Sequence, residues 1–261
     1  MAAMLPDMTS ALFKSSLPLA WRGSKAFDPD QPRDESGRWT STGAAAQPAP
    51  AARAGMGPDY RNPKTLASVR RTSEAAASDI YQIATSIEPV VTSDLKEVVG
   101  QNMRLAGLSH RIKSEESLRR KIFEESVDEQ IDVREKAATI KDALRYTAVS
   151  AERDYASNVT RGIAALKAKG YSLVRATNYW GSGAEYQGIN TSFKTPGGQV
   201  FELQFHTQRS FYVKEKLNHS LYEKRRRLGA TTKEKEVATR KMIANQATVR
   251  MPPGVSELAF A

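Results

Sequence analysis

Two short strand-like runs joined by a tight turn restrict the fold of this chain more than any other feature of its sequence. Thr195-Pro-Gly-Gly has strong turn chemistry and separates the runs 186–194 and 199–207, which predicts a β-hairpin. The second run alternates in polarity, with Phe201, Leu203 and Phe205 on one face and Glu202, Gln204 and His206 on the other. Such a strand packs one face on helices and keeps the other for chemistry; the alternative is a polar face that only meets solvent.

Apolar residues at helical spacing alternate with other β-rich runs, which predicts an α/β (α+β) fold. The predicted helices are 63–88, 90–105, 115–138, 154–169, 208–227 and 231–247, and the further strands are 143–149 and 171–180. Pro89 and Gly107 are expected to end the first two helices. We expect a mixed sheet of four or five strands flanked by helices in a domain of residues 63–230, followed by a basic helix and a fraying tail at 231–261.

The first 62 residues differ in composition from the rest. Eight of the twelve prolines lie within the first 63 residues, beside a run of small residues at 43–52. Such a segment cannot bury enough apolar surface to offset its ordering entropy, so we predict a disordered Pro/Ala-rich leader at 1–62. Its segment 27–40 contains Q-P-R-D-x-x-G-R-W, which resembles a short element of phage and prophage structural proteins; the alternative is a plain Pro/Gly turn.

The balance of charged residues points to phosphate. The chain has 39 Lys and Arg against 29 Asp and Glu, a formal net charge of +10, no cysteine and three histidines. Without cysteine there is no disulfide scaffold and no thiolate metal site, and three histidines scarcely allow a zinc site built on several imidazoles. The positive excess attracts phosphate on a nucleotide or a nucleic acid. No run of about 18 apolar residues occurs, so no membrane partner is expected.

Most of this charge lies near the C-terminus. Residues 208–250 hold twelve basic and four acidic side chains, a net +8, and include the dense cluster Lys224-Arg-Arg-Arg. Two interpretations stay open for this region: solvated helix faces, or a surface that contacts RNA or polyphosphate.

A smaller basic block is more informative because of its spacing. Its members are Arg111, Lys113, Ser117 and Lys121. The first two would share one face of a short strand, and the last two stand four apart on the following helix. A helix N-terminus favours anions through its dipole and its free N–H groups. The block therefore predicts a polyphosphate site, with an ordinary amphipathic helix as the alternative.

Carboxylates supply the complementary chemistry. The strand predicted at 143–149 would place Asp142 and Arg145 beside the polar face that carries Glu202. Asp142 and Glu202 would then form a pair of carboxylates able to hold Mg²⁺ through oxygen ligands. This is the usual way in which a triphosphate is neutralised for attack.

Taken in order, these blocks resemble the synthetase domain of the RelA/SpoT family over about residues 100–228. That family moves pyrophosphate from ATP to a nucleotide 3′-hydroxyl, so the resemblance implies a nucleotidyltransferase-like synthetase fold and an Mg²⁺ cofactor. The implied roles are ATP binding for Arg111, Lys113, Ser117, Lys121 and Arg145; catalysis for Glu202, Asp142 and Gln204; metal binding for Asp142 and Glu202; and acceptor binding for Tyr186, Asn190 and His206. Tyr186 would stack on the acceptor base.

The sequence departs from the family pattern at three points: Asn190 replaces a histidine, His206 replaces an arginine, and Asp142 lies three rather than five residues before Arg145. With Ser210-Phe, Lys214 and His219-x-x-Tyr222, this version resembles the family's divergent toxin-like branch, found in phage-linked and secreted bacterial proteins. The acceptor is then a guanine or adenine nucleotide or the 3′ end of tRNA. No His-Asp dipeptide of the family's hydrolase occurs, which implies synthesis only.

The resemblance implies a growth-inhibiting toxin or effector with an antitoxin or immunity partner. It would act in the cytoplasm of the producing or target bacterium, and be phage-associated or delivered. The main alternative is a catalytically inactive nucleotide- or RNA-binding module of a phage-associated protein. An ADP-ribosylating toxin is a third reading, but it gives the basic block no role.

Overall fold

The computed structural model describes residues 60–99, 102–181, 183–227 and 229–260. The leader predicted at 1–62 lies outside these residues except for its last three, and the phage-type segment at 27–40 lies wholly outside them.

A mixed five-stranded sheet forms the centre of the described chain, which confirms the predicted fold class. Its strands are β1 (Arg104–Ala106), β2 (Arg145–Ser150), β3 (Ser172–Asn178), β4 (Ile189–Lys194) and β5 (Val200–Thr207). They lie in the order β1-β2-β5-β4-β3, with β2 and β5 parallel and the other neighbours antiparallel. The predicted hairpin is β4–β5, where Thr195 N–H donates to Gln199 O at 2.8 Å and Gly198 adopts a φ of 93°.

Helices flank the sheet. They are α1 (Pro63–Val99), α2 (Glu115–Glu129), α3 (Val133–Ala138), α4 (Tyr155–Ala168), α5 (Gln208–Tyr212), α6 (His219–Arg226) and α7 (Thr232–Gln246). A π-helical turn, Val213–Asn218, joins α5 to α6, so the helix predicted at 208–227 is continuous but changes its winding. No helix in the described part of the chain is both long and apolar enough to span a bilayer.

The expectation that a helix ends before Pro89 is wrong. α1 continues through Pro89 to Val99, and its buried stripe continues on both sides of the proline, with Ala84 before it and Val91 and Leu95 after it. Pro89 removes one backbone hydrogen bond, but packing of this apolar stripe against the core outweighs the loss. The prediction of a separate helix at 90–105 is also wrong. Residues 90–99 belong to α1, and residues 104–106 form strand β1.

The single helix predicted at 115–138 is two helices. Gln130 ends α2 in the left-handed conformation, with a φ of 55°, and Asp132 caps α3 by accepting from Arg134 N–H at 2.8 Å. A polar side chain beside the break supplies the cap that restarts the helix.

The apolar face of β5 lies at the centre of the core. Phe201, Leu203 and Phe205 are fully buried, and Tyr146 and Tyr171 meet the ring of Phe201 edge-on. The predicted alternation of β5 is thus confirmed on this face, which leaves its polar face for the site.

The described C-terminal residues pack on the core, contrary to the expected fraying. Val255 is fully buried and its carbonyl accepts a hydrogen bond from Asn178 Nδ2 at 2.8 Å. Leu258 and Phe260 also pack against the core. The apolar character of these residues provides the driving force for this contact.

Candidate active site

The polar face of β5 forms the floor of the candidate site. Arg145 of β2 lies opposite Glu202 in the parallel pair, and Asn190 of β4 lies opposite Gln204 on the other side. Gln204 is 5% exposed and His206 is fully buried. The alternative of a strand face that only meets solvent therefore does not hold for these two residues.

Asp142 lies at one edge of this floor, held between two lysines. Its Oδ2 accepts from Lys113 Nζ at 2.7 Å and its Oδ1 accepts from Lys121 Nζ at 3.0 Å. Burial disfavours the carboxylate, but the two ammonium groups outweigh it and hold the pKa of Asp142 well below its usual range. Burial lowers the pKa of Lys113, whereas at Lys121 the carboxylates of Asp142 and Glu125 overcome burial and raise the pKa.

Main-chain pairing brings the basic block to Asp142. Lys113 N–H donates to Ala143 O at 2.8 Å, and Arg145 N–H donates to Arg111 O at 2.7 Å. These bonds form a short antiparallel bridge in place of the predicted strand through 111–113. Asp142 itself precedes β2, so its position is set by this bridge and not by the strand.

The other two members of the basic block, Arg111 and Ser117, have partners other than Asp142. The Arg111 guanidinium pairs with Glu88 of α1 and donates to Leu108 O at 2.6 Å. Ser117 lies in the first turn of α2, where Ser114 caps the helix by accepting from Ser117 N–H at 3.2 Å. Sequence reasoning missed Glu88, because it stands 23 residues from Arg111 and no local pattern indicates the pair.

Glu202 is the carboxylate nearest the centre of the floor. Its Oε1 accepts from Gln204 Nε2 at 2.9 Å. Burial and the negative charge of Asp142 raise the pKa of Glu202, against the lowering effect of the Gln204 hydrogen bond. The Gln204 Oε1 is buried and has no hydrogen-bond partner in the described chain, so its hydrogen-bonding capacity is unmet there.

A hydrogen-bonded chain of side chains links the residues that are predicted to bind the acceptor. The Tyr186 hydroxyl donates to Asn190 Oδ1 at 2.6 Å and lies 2.8 Å from His206 Nε2, while His206 Nδ1 lies 2.9 Å from Ser210 Oγ. Ser210 in turn forms a capping box with Thr207 at the start of α5. A neutral imidazole with its proton on Nε2 satisfies these contacts. Three predicted acceptor residues thus meet in one network.

Gly188 permits this close packing. A Cβ atom at Gly188 would lie 2.8 Å from His206 Cε1, 2.9 Å from the Tyr186 hydroxyl and 3.0 Å from Phe205 O. The backbone carbonyl cannot move aside cheaply, so only glycine fits here without displacing the network.

Lys214 is a further charged residue of the site. It lies in the π-helical turn, where its Nζ pairs with Glu215 Oε1 at 2.6 Å. Burial lowers the pKa of Lys214, and its charge is close enough to that of Glu202 and Arg145 to interact with both. The sequence singled out Lys214 only through the toxin-like resemblance, because a π-helical turn has no reliable sequence pattern.

The C-terminal basic cluster is partly paired within the chain. Its ion pairs are Arg225 with Glu185, Arg226 with Glu223, and Arg227 with Glu234. Lys224, Arg226 and Arg227 also line a cavity of about 280 Å³ that α6 shares with α2. RNA or polyphosphate contact at this surface stays a prediction.

The oxygen donors suit Mg²⁺ bound together with a substrate. No group of three or more acidic or histidine side chains forms a ready-made metal site within the described ranges. Mg²⁺ commonly binds through one or two carboxylates plus substrate phosphates. Glu202 pairs through its N–H with Leu144 O at 2.9 Å, two residues from Asp142. Asp142 and Glu202 fit that mode of binding if the ion replaces one of the two lysine contacts of Asp142.

Comparison with known proteins returned structural similarity without sequence matches. No protein-family model matches the chain, and no curated protein matches it.

Small alarmone synthetases are among the similar solved structures. Small alarmone synthetase 1 from Bacillus subtilis, bound to its product pppGpp, is 19% identical, and the match covers 68% of this chain and 92% of that chain at a TM-score of 0.46. The Type VI effector Tas1, in complex with its immunity protein, is 21% identical over 71% and 96% of the two chains, with a TM-score of 0.39. A GTP pyrophosphokinase family protein from Streptococcus pneumoniae is 16% identical over 64% and 85%, with a TM-score of 0.38.

Proposed function

We propose that this protein is an ATP-dependent pyrophosphokinase that transfers the β,γ-pyrophosphate of ATP to the 3′-hydroxyl of a nucleotide acceptor. One observation carries the proposal: Asp142 accepts hydrogen bonds from Lys113 and Lys121, and Glu202 is held two residues further along that segment, where its N–H donates to Leu144 O at 2.9 Å. Two members of the basic block, Lys113 and Lys121, thus lie with Asp142 near the polar face of β5, whereas Arg111 and Ser117 have other partners. Transfer between two polyphosphorylated substrates needs such a combination of cations and carboxylates.

The lysines that hold Asp142 supply the ATP side of the site. Lys113 and Lys121 each have further N–H donors beyond the one that contacts Asp142. We expect these donors to bind ATP phosphate oxygens, with Arg145 beside them on β2. Arg111 reaches the phosphates only by leaving Glu88, and Ser117 offers its hydroxyl from the first turn of α2.

Tyr186 supplies the acceptor side. Its hydroxyl is fixed by Asn190 and His206, so that its ring can serve as a platform for the acceptor base at little cost in entropy. The acceptor 3′-hydroxyl would then lie near Glu202, and the unpartnered Gln204 Oε1 is available to accept a hydrogen bond from the ribose.

The chemical step is in-line displacement at the β-phosphorus. Glu202 accepts the proton of the 3′-hydroxyl, and a bond forms from the 3′-oxygen to the β-phosphorus of ATP. The bond from the β-phosphorus to the oxygen that it shares with the α-phosphorus breaks, which releases AMP. Gln204 orients this base through the 2.9 Å hydrogen bond. Mg²⁺ held by Asp142 and Glu202 would supply charge neutralisation of the triphosphate.

The biological role we propose is that of a growth-inhibiting toxin or effector, neutralised by an antitoxin or immunity protein. This role rests on the resemblance of Asn190, His206, Ser210, Lys214 and Tyr222 to the toxin-like branch. The Tas1 effector, one of the similar solved structures, is itself seen with an immunity protein.

A labelling assay tests the proposal. The full chain is incubated with Mg²⁺, ATP labelled at the γ-phosphate, and separate pools of GDP, GTP, AMP, ATP and tRNA. The expected result is label on one acceptor together with an equal amount of AMP, which distinguishes pyrophosphoryl transfer from transfer of a single phosphoryl group. Nucleotide or RNA binding without any labelled product supports the alternative of an inactive binding module.

A further inference from the structure

Lys214 is a largely buried cation on the helical side of the candidate site. It lies in the π-helical turn Val213–Asn218, and π-helical turns occur frequently at functional sites. Its side chain is 18% exposed, whereas the neighbouring Lys216 is exposed to solvent. Most of the Lys214 side chain is thus shielded from solvent, with Glu215 as its partner.

The surroundings of Lys214 place it on the acceptor side of Glu202. Its Nζ lies 5.7 Å from the centroid of the Phe211 ring, and that ring lies 6.3 Å from the imidazole of His206. The charge of Lys214 also contributes to the low pKa of His206. Lys214 is therefore close to the residue that anchors Tyr186.

The ammonium of Lys214 has hydrogen-bond donors beyond the one that contacts Glu215. Among the described residues it donates one hydrogen bond, to Glu215 Oε1 at 2.6 Å, and an ammonium has three donors. Glu215 counters the cost of burying the charge. The charges of Arg145 and Glu202 interact with Lys214 as well, so an anionic ligand between these groups would meet two cations.

We propose that Lys214 is a substrate-binding residue that donates to a phosphoryl oxygen on the acceptor side of Glu202. This inference rests on the proposed function. The phosphoryl oxygen belongs either to the 5′-phosphate of the acceptor or to the group in transfer. Lys113 and Lys121 lie at Asp142, on the proposed ATP side, so Lys214 adds a cation for the other partner in the reaction.

The test compares Lys214→Met with two matched variants. Lys216→Met removes a charge from an exposed position two residues away, and Glu215→Gln breaks the ion pair while keeping the Lys214 charge. Calorimetry measures the binding of AMP, GMP, adenosine and guanosine to each protein, and the labelling assay gives kcat and the KM of each substrate. Circular dichroism confirms that each variant is folded, and Lys214→Arg tests whether a positive charge rescues the loss.

Two results support the proposal. If Lys214 contacts the acceptor 5′-phosphate, Lys214→Met weakens mononucleotide binding by about tenfold or more and leaves nucleoside binding unchanged. If it contacts the group in transfer, binding and both KM values stay the same while kcat falls by about tenfold or more. Lys216→Met should match the wild-type protein in both measurements.

Two other results overturn it. Lys214→Met with the wild-type affinity for mononucleotides and the wild-type kcat would show that Lys214 binds no substrate. A Glu215→Gln variant with the full Lys214→Met defect would show that the ion pair is structural. If wild-type protein binds mononucleotide through Lys214 but transfers no label, the proposed function fails and the assignment of Lys214 stands.

Discussion

The Tyr186 hydroxyl lies 2.8 Å from His206 Nε2, so the residue proposed to carry the acceptor base is anchored on a fully buried imidazole. Asn190 Oδ1 accepts a hydrogen bond from the same hydroxyl at 2.6 Å. His206 and Asn190 are two of the positions at which the sequence departs from the RelA/SpoT pattern that it resembles. They meet at one hydroxyl group and keep the site hydrogen-bonded.

Stability should fall on acidification because His206 is buried as the neutral form. Burial and the charge of Lys214 hold its pKa well below the usual 6.5, so the unfolded chain binds more protons than the folded one below that pH. The stabilisation is complete above about pH 6.5 and is lost towards the folded pKa, at up to about 1.4 kcal/mol per pH unit. Urea unfolding from pH 5 to 7.5 should show a steeper loss for wild type than for His206→Asn. Parallel curves would contradict a buried neutral histidine.

Gly188→Ala should destabilise the protein by about 1–3 kcal/mol, because its Cβ overlaps His206, Tyr186 and the carbonyl of Phe205. The matched control is Gly181→Ala in the same loop, where a Cβ meets no atom within 4 Å. Thermal unfolding of the two variants provides the comparison. Equal stability of Gly188→Ala and wild type would show that the network around His206 is loosely packed.

Asp142→Asn should destabilise the chain by about 1–3 kcal/mol, because two lysines that are 16% and 20% exposed lose their common counter-ion. The control, Asp128→Asn, changes an exposed carboxylate and should be nearly neutral. Denaturant titration gives both values. An Asp142→Asn variant as stable as the control would mean that Lys113 and Lys121 do not depend on Asp142.

Tyr186→Ala should weaken acceptor binding by about 1–3 kcal/mol through loss of the stacking platform. Tyr186→Phe keeps the ring and loses the hydrogen bonds to Asn190 and His206, so a smaller effect is expected. Tyr212, which is 47% exposed, supplies the control substitution Tyr212→Ala. Calorimetric titration with the acceptor measures all three, and undiminished affinity in Tyr186→Ala would exclude the platform role.

The parts of this fold that could be predicted are those set by local sequence. The turn at Thr195 and the alternation through Phe205 fix the β4–β5 hairpin, since both depend on neighbouring residues only. The predicted helix end at Pro89 is wrong because burial of the apolar residues on both sides of Pro89 depends on tertiary packing. Whether a proline ends a helix is decided by contacts that the local pattern does not contain.

The same division holds for the candidate site. Two carboxylates, Glu202 and Asp142, predict a pair of oxygen ligands for Mg²⁺. The resemblance to the RelA/SpoT synthetase domain assigns their catalytic roles. The pairing of Arg111 with Glu88 and the approach of Lys214 could not be predicted, because they depend on how α1 and the π-helical turn pack against the sheet. Long-range contacts between charged side chains have no periodic signature in a sequence.

In the proposed reaction Glu202 takes the proton of the acceptor hydroxyl during pyrophosphoryl transfer. Glu202→Gln retains the size and the hydrogen-bonding capacity of the side chain but cannot act as a base. The most direct test is the rate of label transfer from γ-labelled ATP by Glu202→Gln, measured beside its binding of a non-hydrolysable ATP analogue. If Glu202 is this base, the variant loses transfer by at least about 100-fold with the analogue still bound. Transfer at the wild-type rate would show that Glu202 is not the base.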